Sequence, residues 1–465
     1  MVVRLAWFSP WPPQPSGIAG RSAEVVPQLA ARAHAIDVFV DEAVVAVSPC
    51  QPDAPPAPGD VRISSAHDFV WRHATAPYDL VIYQIGNSRL HEFIWPYLFR
   101  WPGLVVLHDA RLHHARGRAL LMRQKKQAYR DEFSFDHPDA ADGAAELGVR
   151  GYGGVFYYQW PMVRAVIDAS RLVAAHSRGA QAVLAETAAP RPVQYIALGS
   201  GRLEPTPPDR VAAVRAAWNV GPDDIVFGIF GGLTPDKRIE PILRAFAASR
   251  AALPNARLVV GGAVAVDLEL DQTIAALGLG DVTRRLGTLD DEEFEDSIAA
   301  IDVSLNMRWP TALEMSGPWL QAIAAGRPTV MIDHAHLADI PTLDPRTWHR
   351  HAPGAQSMDA DMEAVGVAID ILDEEHSLRL AMEMLGRNAA LRARLGAAAR
   401  RYWEREHTLE RMTDDYQRAI ARAGAMTAPN VVLPAHLRPD PLALARRLGA
   451  PFGDAGLAAI EELGR

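Results

Sequence analysis

The chain is predicted to be an α/β protein in which two doubly wound domains face a central cleft. Short apolar runs rich in β-branched residues alternate with amphipathic helical stretches along most of the 465 residues. The alternation forms two series, which a stretch rich in glycine and proline at residues 199–208 separates. Because strands that alternate with helices form parallel sheets covered by helices on both faces, two series predict two such sheets.

The strand-like runs define the elements of each half. In the first half we predict strands at residues 2–8, 36–40, 80–84, 104–107, 172–175 and 194–196. In the second half we predict strands at residues 225–230, 256–260, 282–286, 303–305 and 329–332. Helical stretches such as residues 20–33 and 239–251 separate these runs, and residues 377–423 are helical and charged.

These elements predict four parts of the chain. Residues 1–205 form an N-terminal domain, and residues 206–395 form a C-terminal domain of the same doubly wound type. Residues 396–425 are helices that pack back on the fold, and residues 426–465 are a tail punctuated by proline, to which we assign no role. The stretch 123–154 fits no strand pattern and is predicted to be an insertion near the cleft.

Composition excludes several classes of protein. Asp and Glu number 56 against 47 Lys and Arg, which gives a net charge of −9. A nucleic-acid-binding protein would normally carry a basic excess, so nucleic acid is not an expected partner. Cys50 is the one cysteine, which rules out a disulfide framework and a thiolate metal cluster.

No apolar run is long enough to suggest a signal peptide or a membrane-spanning helix, so we expect a cytoplasmic protein.

Residues 111–130 contain seven arginines and lysines and no acid. On a helix these residues would form a basic face. A solvated helix is one interpretation. The other is peripheral contact with an anionic membrane at the inner face, or with a phosphorylated acceptor.

The second half contains a loop suited to phosphate. The predicted strand at residues 225–230 runs into Gly231 and Gly232, and Lys237 and Arg238 follow just before an amphipathic helix. A cation between a strand end and a helix N-terminus lies where α/β proteins hold phosphate. Lys237 is electrostatically unfavourable at a helix N-terminus unless an anion binds there. The alternative is a solvated lysine at a helix start.

A second turn in the same half carries a carboxylate. Ser316 is a good N-cap, Pro318 fits the first helical turn and Gly326 fits the stop, so we predict a helix over residues 316–325. Glu314 lies just before this helix. The backbone N–H groups of residues 315–317 would face an anion or a hydroxyl. Alternatively, Glu314 merely complements the helix dipole.

In the first half, two segments follow predicted strands. A Gly-rich loop with Gly17 follows the first strand, and glycine there lets the backbone approach a ligand closely. His108 and Asp109 end the strand at residues 104–107, and ligands of open α/β sheets bind at such carboxyl ends. The alternative for His108 is a hydrogen-bonded structural histidine. The crowded histidines that follow do not form a metal-ligand pattern.

Together these motifs resemble those of the family 4 retaining glycosyltransferases of the GT-B fold, over nearly the whole chain to about residue 425. Four stretches carry the resemblance, and they occur in the order typical of one subgroup. They are a loop at residues 9–19 with SGIA, the YQIGNS and LHD stretches at residues 83–88 and 107–109, the TPDKR loop at residues 234–238, and the PTALEMSG stretch at residues 310–317.

The resemblance implies two Rossmann-like domains, a nucleotide-diphosphate-sugar donor on the C-terminal domain and a glycan or lipid-linked acceptor on the N-terminal domain. It implies no cofactor and no obligatory metal.

By position, Lys237 with its loop would bind the diphosphate, and Glu314 with Met315, Ser316 and Gly317 would bind the donor sugar. Gly17 would let the first loop close over the phosphates, and His108 would lie at the reaction centre. The resemblance places the acceptor beside residues that follow strands of the first half: Asn87, Asp109 and Arg111.

Two positions depart from the family pattern. The second acid of its E-x7-E motif is Ala322 here, and Gln321 is the nearest polar residue able to bond a ribose hydroxyl. The arginine that precedes the lysine is Gly232 here, which weakens the diphosphate clamp unless Arg238 replaces it. Two alternatives to a transferase involved in surface polysaccharide or glycoconjugate synthesis therefore stay open. They are a non-catalytic GT-B partner of another glycosyltransferase and a sugar-nucleotide epimerase.

Overall fold

The computed structural model describes residues 3–45, 56–141, 143–201, 204–351 and 363–438, together with Pro451, Gly453 and Ala458. Most of the predicted C-terminal tail therefore lies outside the described residues. So do Cys50 and part of the Gly/Pro-rich connection between the two halves.

The first sheet lies in the N-terminal half, and its strands are all parallel. Within the described residues seven strands form it, in the order β3-β2-β1-β4-β5-β6-β7. Nearly every strand residue is buried, as expected for a parallel sheet covered on both faces. The strands are β1 (Arg4–Phe8), β2 (Ala35–Val40), β3 (Val61–Ser65), β4 (Leu80–Ile85), β5 (Leu104–Leu107), β6 (Leu172–Ala175) and β7 (Val193–Tyr195).

The helices of this half connect the strands and cover both faces of the sheet. The first of them, α1, begins at an N-cap, Ser16, whose hydroxyl accepts from Ile18 N at 3.2 Å. The helices are α1 (Gly17–Ala31), α2 (Glu42–Val45), α3 (Phe69–Thr75), α4 (Trp95–Leu98), α5 (His113–Leu121), α6 (Lys126–Asp136), α7 (Ala144–Val149), α8 (Val155–Gln159), α9 (Arg164–Ala169) and α10 (Arg178–Ala188).

The second sheet lies in the C-terminal half. In its described part eight strands have the order β10-β9-β8-β11-β12-β15-β13-β14, and only the pair β13–β14 is antiparallel. The strands are β8 (Ile225–Phe230), β9 (Ala256–Gly261), β10 (Thr283–Gly287), β11 (Val303–Asn306), β12 (Thr329–Ile332), β13 (Thr342–Leu343), β14 (Arg350–His351) and β15 (Gly366–Ile369).

The helices of this half cover the second sheet and then lead back to the first. A capping box begins α14, in which Asp290 Oδ1 accepts from Glu293 N at 2.8 Å. The helices are α11 (Pro208–Ala217), α12 (Ile239–Ser249), α13 (Leu270–Ala276), α14 (Asp291–Ala300), α15 (Gly317–Ala324), α16 (Glu374–Arg387), α17 (Ala389–Glu406) and α18 (Leu409–Gly424).

The predicted fold class is confirmed, and each predicted strand overlaps an observed one. Four observed strands were missed: β3, β13, β14 and β15. Strand β3 is an edge strand with alternating burial, Val-Arg-Ile-Ser-Ser, and its polar residues hide the strand pattern. Strands β13 and β14 have two residues each, which is too short for a periodic signal.

The last helix ties the two halves together. Helix α18 belongs to the C-terminal segment, yet it packs against α1 and the strands β4, β5 and β6 of the first sheet. Its buried Asp415 accepts from Ala197 N at 2.9 Å, just beyond the first sheet. Helix α18 therefore contacts the N-terminal half, and the division of the chain into four parts stays a prediction.

The described start of the tail returns to the N-terminal half. Leu433 is buried in the hydrophobic cluster of the first sheet. His436 Nε2 lies 2.9 Å from Glu132 Oε2, and Glu132 also pairs with the buried Arg116. Burial would raise the pKa of Glu132, but Arg116 and His436 lower it to about 2. The beginning of the tail thus contacts a buried carboxylate of the N-terminal half.

The basic segment at residues 111–130 does not form one solvated basic face. Four of its arginines have partners elsewhere: Arg116 pairs with Glu132, Arg123 with Glu92, Arg130 with Glu146, and Arg111 donates to Thr311 O at 3.0 Å. A basic face was predicted from the cations within the segment alone. The groups that pair with these cations lie outside the segment, so the segment sequence does not reveal them. Contact of this segment with an anionic membrane stays a prediction. Among the described helices, none has the length and apolar character needed to cross a bilayer.

We predict that buried histidines make the fold sensitive to acid, and His407 provides the test. Its ring lies 3.1 Å from Leu198 O, and burial lowers its pKa to about 4. Between about pH 6.5 and pH 4 the unfolded chain binds a proton at His407 that the folded chain does not. The free energy of unfolding therefore decreases as the pH is lowered through that window. We expect the free energy of unfolding of His407→Gln, measured by urea unfolding at several pH values, to depend less steeply on pH than that of the wild type, by up to about 1.4 kcal/mol per pH unit. An unchanged slope would contradict this.

Candidate functional site

The second sheet reverses its strand order between β8 and β11. Strands β9 and β10 continue from β8 to one side, and β12 follows β11 on the other. Ligands of doubly wound sheets bind outside the carboxyl ends of the strands at such a reversal. The residues that follow these two strands, Gly231 and Met307, therefore mark the expected position of a ligand.

The first sheet reverses its order between β1 and β4, and its carboxyl edge meets that of the second sheet. Ala110 N donates to Ala312 O at 2.8 Å, and an Arg111 guanidinium nitrogen donates to Thr311 O at 3.0 Å. Both contacts join the end of β5 to the loop before α15. The two binding edges thus face one cleft, as the sequence predicts.

An open cavity lies at this edge of the second sheet. The ends of β8, β11 and β12 form its floor, and the N-terminus of α15 forms one wall. Four predicted site residues line it: Lys237, Glu314, Met315 and Ser316. Arg308, His334 and His336 also line it, and the sequence analysis did not select them.

Lys237 lies at the end of a 3-10 turn, Pro235–Lys237. Its Nζ donates to Phe230 O at 3.0 Å, at the carboxyl end of β8. Burial, with Arg308 nearby, lowers the pKa of Lys237 to about 7, although Asp236 and Glu314 act in the opposite direction. The amine is therefore held in place by the strand end. An anion that enters the cleft would favour its charged form.

Gly231 is the residue that permits this position of Lys237. Its φ is +91°, and a Cβ built there would lie 2.7 Å from Lys237 Nζ. A side chain at Gly231 would displace the amine and strain the backbone. Gly232 is exposed, and nothing lies within 4 Å of where its Cβ would stand.

Glu314 is held by three donors. Its Oε2 accepts from Thr311 Oγ1 at 2.9 Å and from Ala312 N at 2.7 Å, and its Oε1 lies 2.5 Å from a guanidinium nitrogen of Arg308. The preceding residue, Leu313, has a φ of +64°, which leucine rarely adopts. This loop fixes the carboxylate at the mouth of the cleft with its side chain 13% exposed.

Helix α15 begins at Gly317, and Ser316 is its N-cap as predicted. The Ser316 hydroxyl accepts from Trp319 N at 3.3 Å. No atom lies within 4 Å of where a Gly317 Cβ would stand. The first N–H groups of the helix carry its partial positive charge beside Lys237, which is the arrangement that binds anions.

Arg308 and Asp236 are the charged residues of this site that sequence reasoning missed. Arg308 is the second residue after the end of β11, and one of its guanidinium nitrogens lies 3.1 Å from Asp236 Oδ2 as well as 2.5 Å from Glu314 Oε1. Trp309 N also donates to Asp236 O at 2.6 Å. The signal that could have found Arg308 is its position at the carboxyl end of a strand next to the point where the strand order reverses.

His334, one of the residues that line the cavity, packs against an aromatic side chain. Trp309 stacks on His334 with 5.9 Å between ring centroids, and His334 Nε2 donates to Arg308 O at 2.8 Å. Burial lowers the pKa of His334, so this ring is neutral at neutral pH. The Trp309 side chain itself is 41% exposed.

Asp109 faces this cluster from the N-terminal half. Its Oδ2 accepts from Asn87 N at 2.7 Å. Burial and the nearby charge of Glu314 raise the pKa of Asp109 to about 7, against the opposing effects of the Asn87 bond and Arg308. The Asn87 side chain is engaged within the N-terminal half: its Oδ1 accepts from Ala115 N at 2.9 Å. Of the predicted acceptor-side residues, Asp109 and Arg111 reach the C-terminal half.

His108 has the structural environment that the sequence analysis left open as its alternative. Its Nε2 donates to Gln84 Oε1 at 2.8 Å, and Tyr416 of α18 donates to the same oxygen at 3.1 Å. Its ring packs against His176 with 4.5 Å between centroids. Burial lowers the pKa of His108 well below its usual range, so the imidazole is neutral. Its role at a reaction centre stays a prediction.

Arg238 does not stand in for the missing arginine of the loop. It makes two bonds to the Glu374 carboxylate, at 2.8 and 2.5 Å, and it is absent from the residues that line the cavity. Its φ of +58° turns the chain between the 3-10 segment and α12. This turn separates Lys237 from Arg238, so the two neighbours point in different directions, and contact of Arg238 with the donor stays a prediction.

Gln321 also lies outside this cavity. It lines a second cavity with Glu204, Glu295 and Arg400, on the side of α15 next to the connection between the halves. Ala322 is buried in an apolar cluster with Phe230. Adjacent helix residues point about 100° apart, so Gln321 and Ala322 face different surroundings. Contact of Gln321 with a ribose hydroxyl stays a prediction.

The first loop lies open at Gly17. This residue begins α1, is exposed, and has nothing within 4 Å of where a Cβ would stand. Its predicted contact with phosphate stays a prediction. Among the described residues, no group of three or more His, Cys, Asp and Glu side chains is arranged to hold a metal ion.

Solved structures share this fold. HepE of Anabaena, solved with UDP and glucose, has a TM-score of 0.58 at 15% identity, covering 90% of this chain and 99% of that one. Sucrose-phosphate synthase of Thermosynechococcus elongatus has a TM-score of 0.63 at 16% identity, covering 90% and 98%. A glycosyltransferase of Rickettsia africae has a TM-score of 0.59 at 11% identity, covering 92% and 100%. The chain therefore has the GT-B fold. No family model and no curated protein matches it.

We predict that Asp109 makes stability depend on pH in the opposite direction from His407. Its folded pKa of about 7 exceeds the unfolded value near 3.8, so the folded chain holds an extra proton between these values. Stability is lost as pH rises through that window. Relative to the wild type, Asp109→Asn should gain on the order of 2 kcal/mol in free energy of unfolding between pH 5 and pH 8. A difference that does not vary with pH would refute the raised pKa.

Proposed function

We propose that this protein is a retaining glycosyltransferase, of the family 4 type, that transfers a sugar from a nucleotide-diphosphate sugar to a glycan, glycolipid or other acceptor. The observation that carries the proposal is the position of Lys237. Its amine lies against Gly231 at the carboxyl end of β8, in a cavity that also contains Glu314 and the start of α15. A cation and helix N–H groups suit a diphosphate, and a carboxylate suits sugar hydroxyls.

The proposal is supported by what structural neighbours bind. HepE was solved with UDP, with UDP-glucose, and with UDP and glucose together. In each case the structural match includes at least 99% of the HepE chain and 90% of this chain. We infer a nucleotide sugar as the donor of this protein.

In the proposed mechanism, the bond between the sugar and the phosphate lengthens, and negative charge builds on the leaving diphosphate. Lys237 and the first N–H groups of α15 would stabilise that charge. Such groups are effective because they are already oriented in a site that excludes water. The amine of Lys237, whose pKa is about 7, would take up a proton as the diphosphate enters, because the anion favours the charged form.

The sugar would lie between Lys237 and the opposite half of the cleft. Glu314 has a fixed orientation and a lone pair beyond its three bonds, so it would accept from a donor hydroxyl. Asp109 faces it across the cleft and lies where an acceptor hydroxyl would approach. No side chain need act as a strong base, because the leaving phosphate would accept the acceptor proton. Retention would appear in the anomeric proton couplings of the product.

We predict that the protein is thermally stabilised by one nucleotide sugar of a panel, and that Lys237→Ala abolishes this shift. A ligand at a hundred times its Kd stabilises by about 2.7 kcal/mol, which a melting experiment detects. Turnover of Lys237→Ala should fall about a hundredfold. Lys126→Ala, at an exposed position on α6, is the matched lysine control and should shift like the wild type.

Gly231→Ala tests the geometry of the same amine without removing it. Its Cβ would push Lys237 Nζ away, and φ is left-handed there, so we expect nucleotide affinity to fall by about tenfold or more while Lys237 is kept. Gly232→Ala is the paired control, because it has open space. Full affinity in a folded Gly231→Ala variant would contradict the placement of the diphosphate.

A non-catalytic GT-B partner is the second candidate, and one observation favours it. Ala322 is buried in an apolar cluster, so the second acid of the family motif has no replacement there. Nucleotide sugar that binds without turnover, together with tight association with another glycosyltransferase, would support this candidate. A sugar-nucleotide epimerase would instead convert the donor with no acceptor present.

A further inference from the structure

The cavity contains a second cation that the sequence motifs did not identify. The motif position that carries arginine in the family is Gly232, and Arg238 is bound to Glu374. Among the described residues that line the cavity, the basic side chains other than histidines are Lys237 and Arg308. The two lie at the ends of neighbouring strands, β8 and β11, so they converge on one point of the cleft.

Arg308 is held by carboxylates of two different loops. It lies 3.1 Å from Asp236 Oδ2 and 2.5 Å from Glu314 Oε1, with its side chain 32% exposed. Arg308 and Lys237 line the same cavity, and the charge of Arg308 lowers the pKa of that lysine. The two carboxylates offset the repulsion between them.

We propose that Arg308 is the second diphosphate-binding cation of this protein, and that it moves from Asp236 and Glu314 to the diphosphate when the nucleotide binds. The inference rests on the proposed function and supplies the clamp residue that Gly232 and Arg238 do not. A guanidinium matches two phosphate oxygens at once, as it matches a carboxylate. The exchange replaces one charge-assisted hydrogen-bonded pair by another.

The local bonds make this exchange feasible. Glu314 keeps its bonds from Thr311 Oγ1 and Ala312 N when Arg308 leaves, so its carboxylate stays in position. The Oε1 atom that Arg308 releases is then available to a sugar hydroxyl. Arg308 thus couples the two halves of the donor: binding of the diphosphate frees the group that binds the sugar.

A purely structural ion pair makes different predictions. If Arg308 only holds two loops together, loss of either carboxylate would loosen the site and weaken anion binding. If Arg308 is shared between carboxylate and phosphate, Asp236→Asn removes a competitor and should strengthen anion binding. The sign of the Asp236→Asn effect therefore separates the two roles.

The experiment is calorimetric titration of the full chain with UDP and with inorganic pyrophosphate. Arg308→Gln should weaken both affinities by about tenfold to a hundredfold, and Arg308→Lys by less, because lysine keeps the charge without the planar fork. Asp236→Asn should strengthen both severalfold. Arg285→Gln is the matched control, because Arg285 pairs with Asp271 at an exposed position and should bind like the wild type.

The outcomes distinguish failure of the proposed function from failure of the proposed role of Arg308. If Lys237→Ala loses UDP while Arg308→Gln binds like the wild type, the proposed function stands and the role of Arg308 is refuted. If the wild type binds neither UDP nor pyrophosphate, the proposed function and the role of Arg308 both fall. Circular dichroism and melting without ligand verify folding. If Arg308→Gln does not fold, Arg308→Lys and Asp236→Asn decide, and an Asp236→Asn affinity equal to or below that of the wild type overturns the proposal.

Discussion

The charged cluster at the ends of β8 and β11 is the constraint on which the rest of the site depends. Two cations, Lys237 and Arg308, lie close together in a partly buried cleft, and Asp236 and Glu314 compensate their charge. Buried charges persist only when paired, so the loops that carry these residues fix each other. Gly231 has the backbone conformation and the missing side chain that let Lys237 lie against the strand end. The cleft is therefore electrostatically organised around the point where the strand order reverses.

The site is also coupled to the packing of the two halves. Tyr416 on α18 and His108 at the end of β5 bond the same oxygen of Gln84. On the other side of the cleft, a Cβ at Gly179 would lie 2.3 Å from the Cα of His336, so α10 approaches the loop of the second sheet closely. Any relative movement of the halves must alter these contacts, and it would change the distance between Asp109 and Glu314.

The sequence predicts most of the strands and the fold class because hydrophobic periodicity is a local property. It places Lys237, Glu314, Met315 and Ser316 in one cavity because each follows a strand or begins a helix there. Arg238 and Gln321 lie outside this cavity, since a left-handed turn and the helical twist separate them from their neighbours. The sequence misses Arg308 because the partners of Arg308, Asp236 and Glu314, come from separate loops. The partners of the cations at residues 111–130 are non-local for the same reason.

The central claim is that the cleft between the two sheets binds a nucleotide diphosphate at Lys237. A crystal structure of the protein with UDP bound tests this most directly. The account predicts a phosphate oxygen within about 3 Å of Lys237 Nζ and of the first N–H groups of α15, with Arg308 turned toward the diphosphate. UDP bound elsewhere on the chain, or bound in the cleft with its phosphates away from Lys237 and α15, would contradict the account.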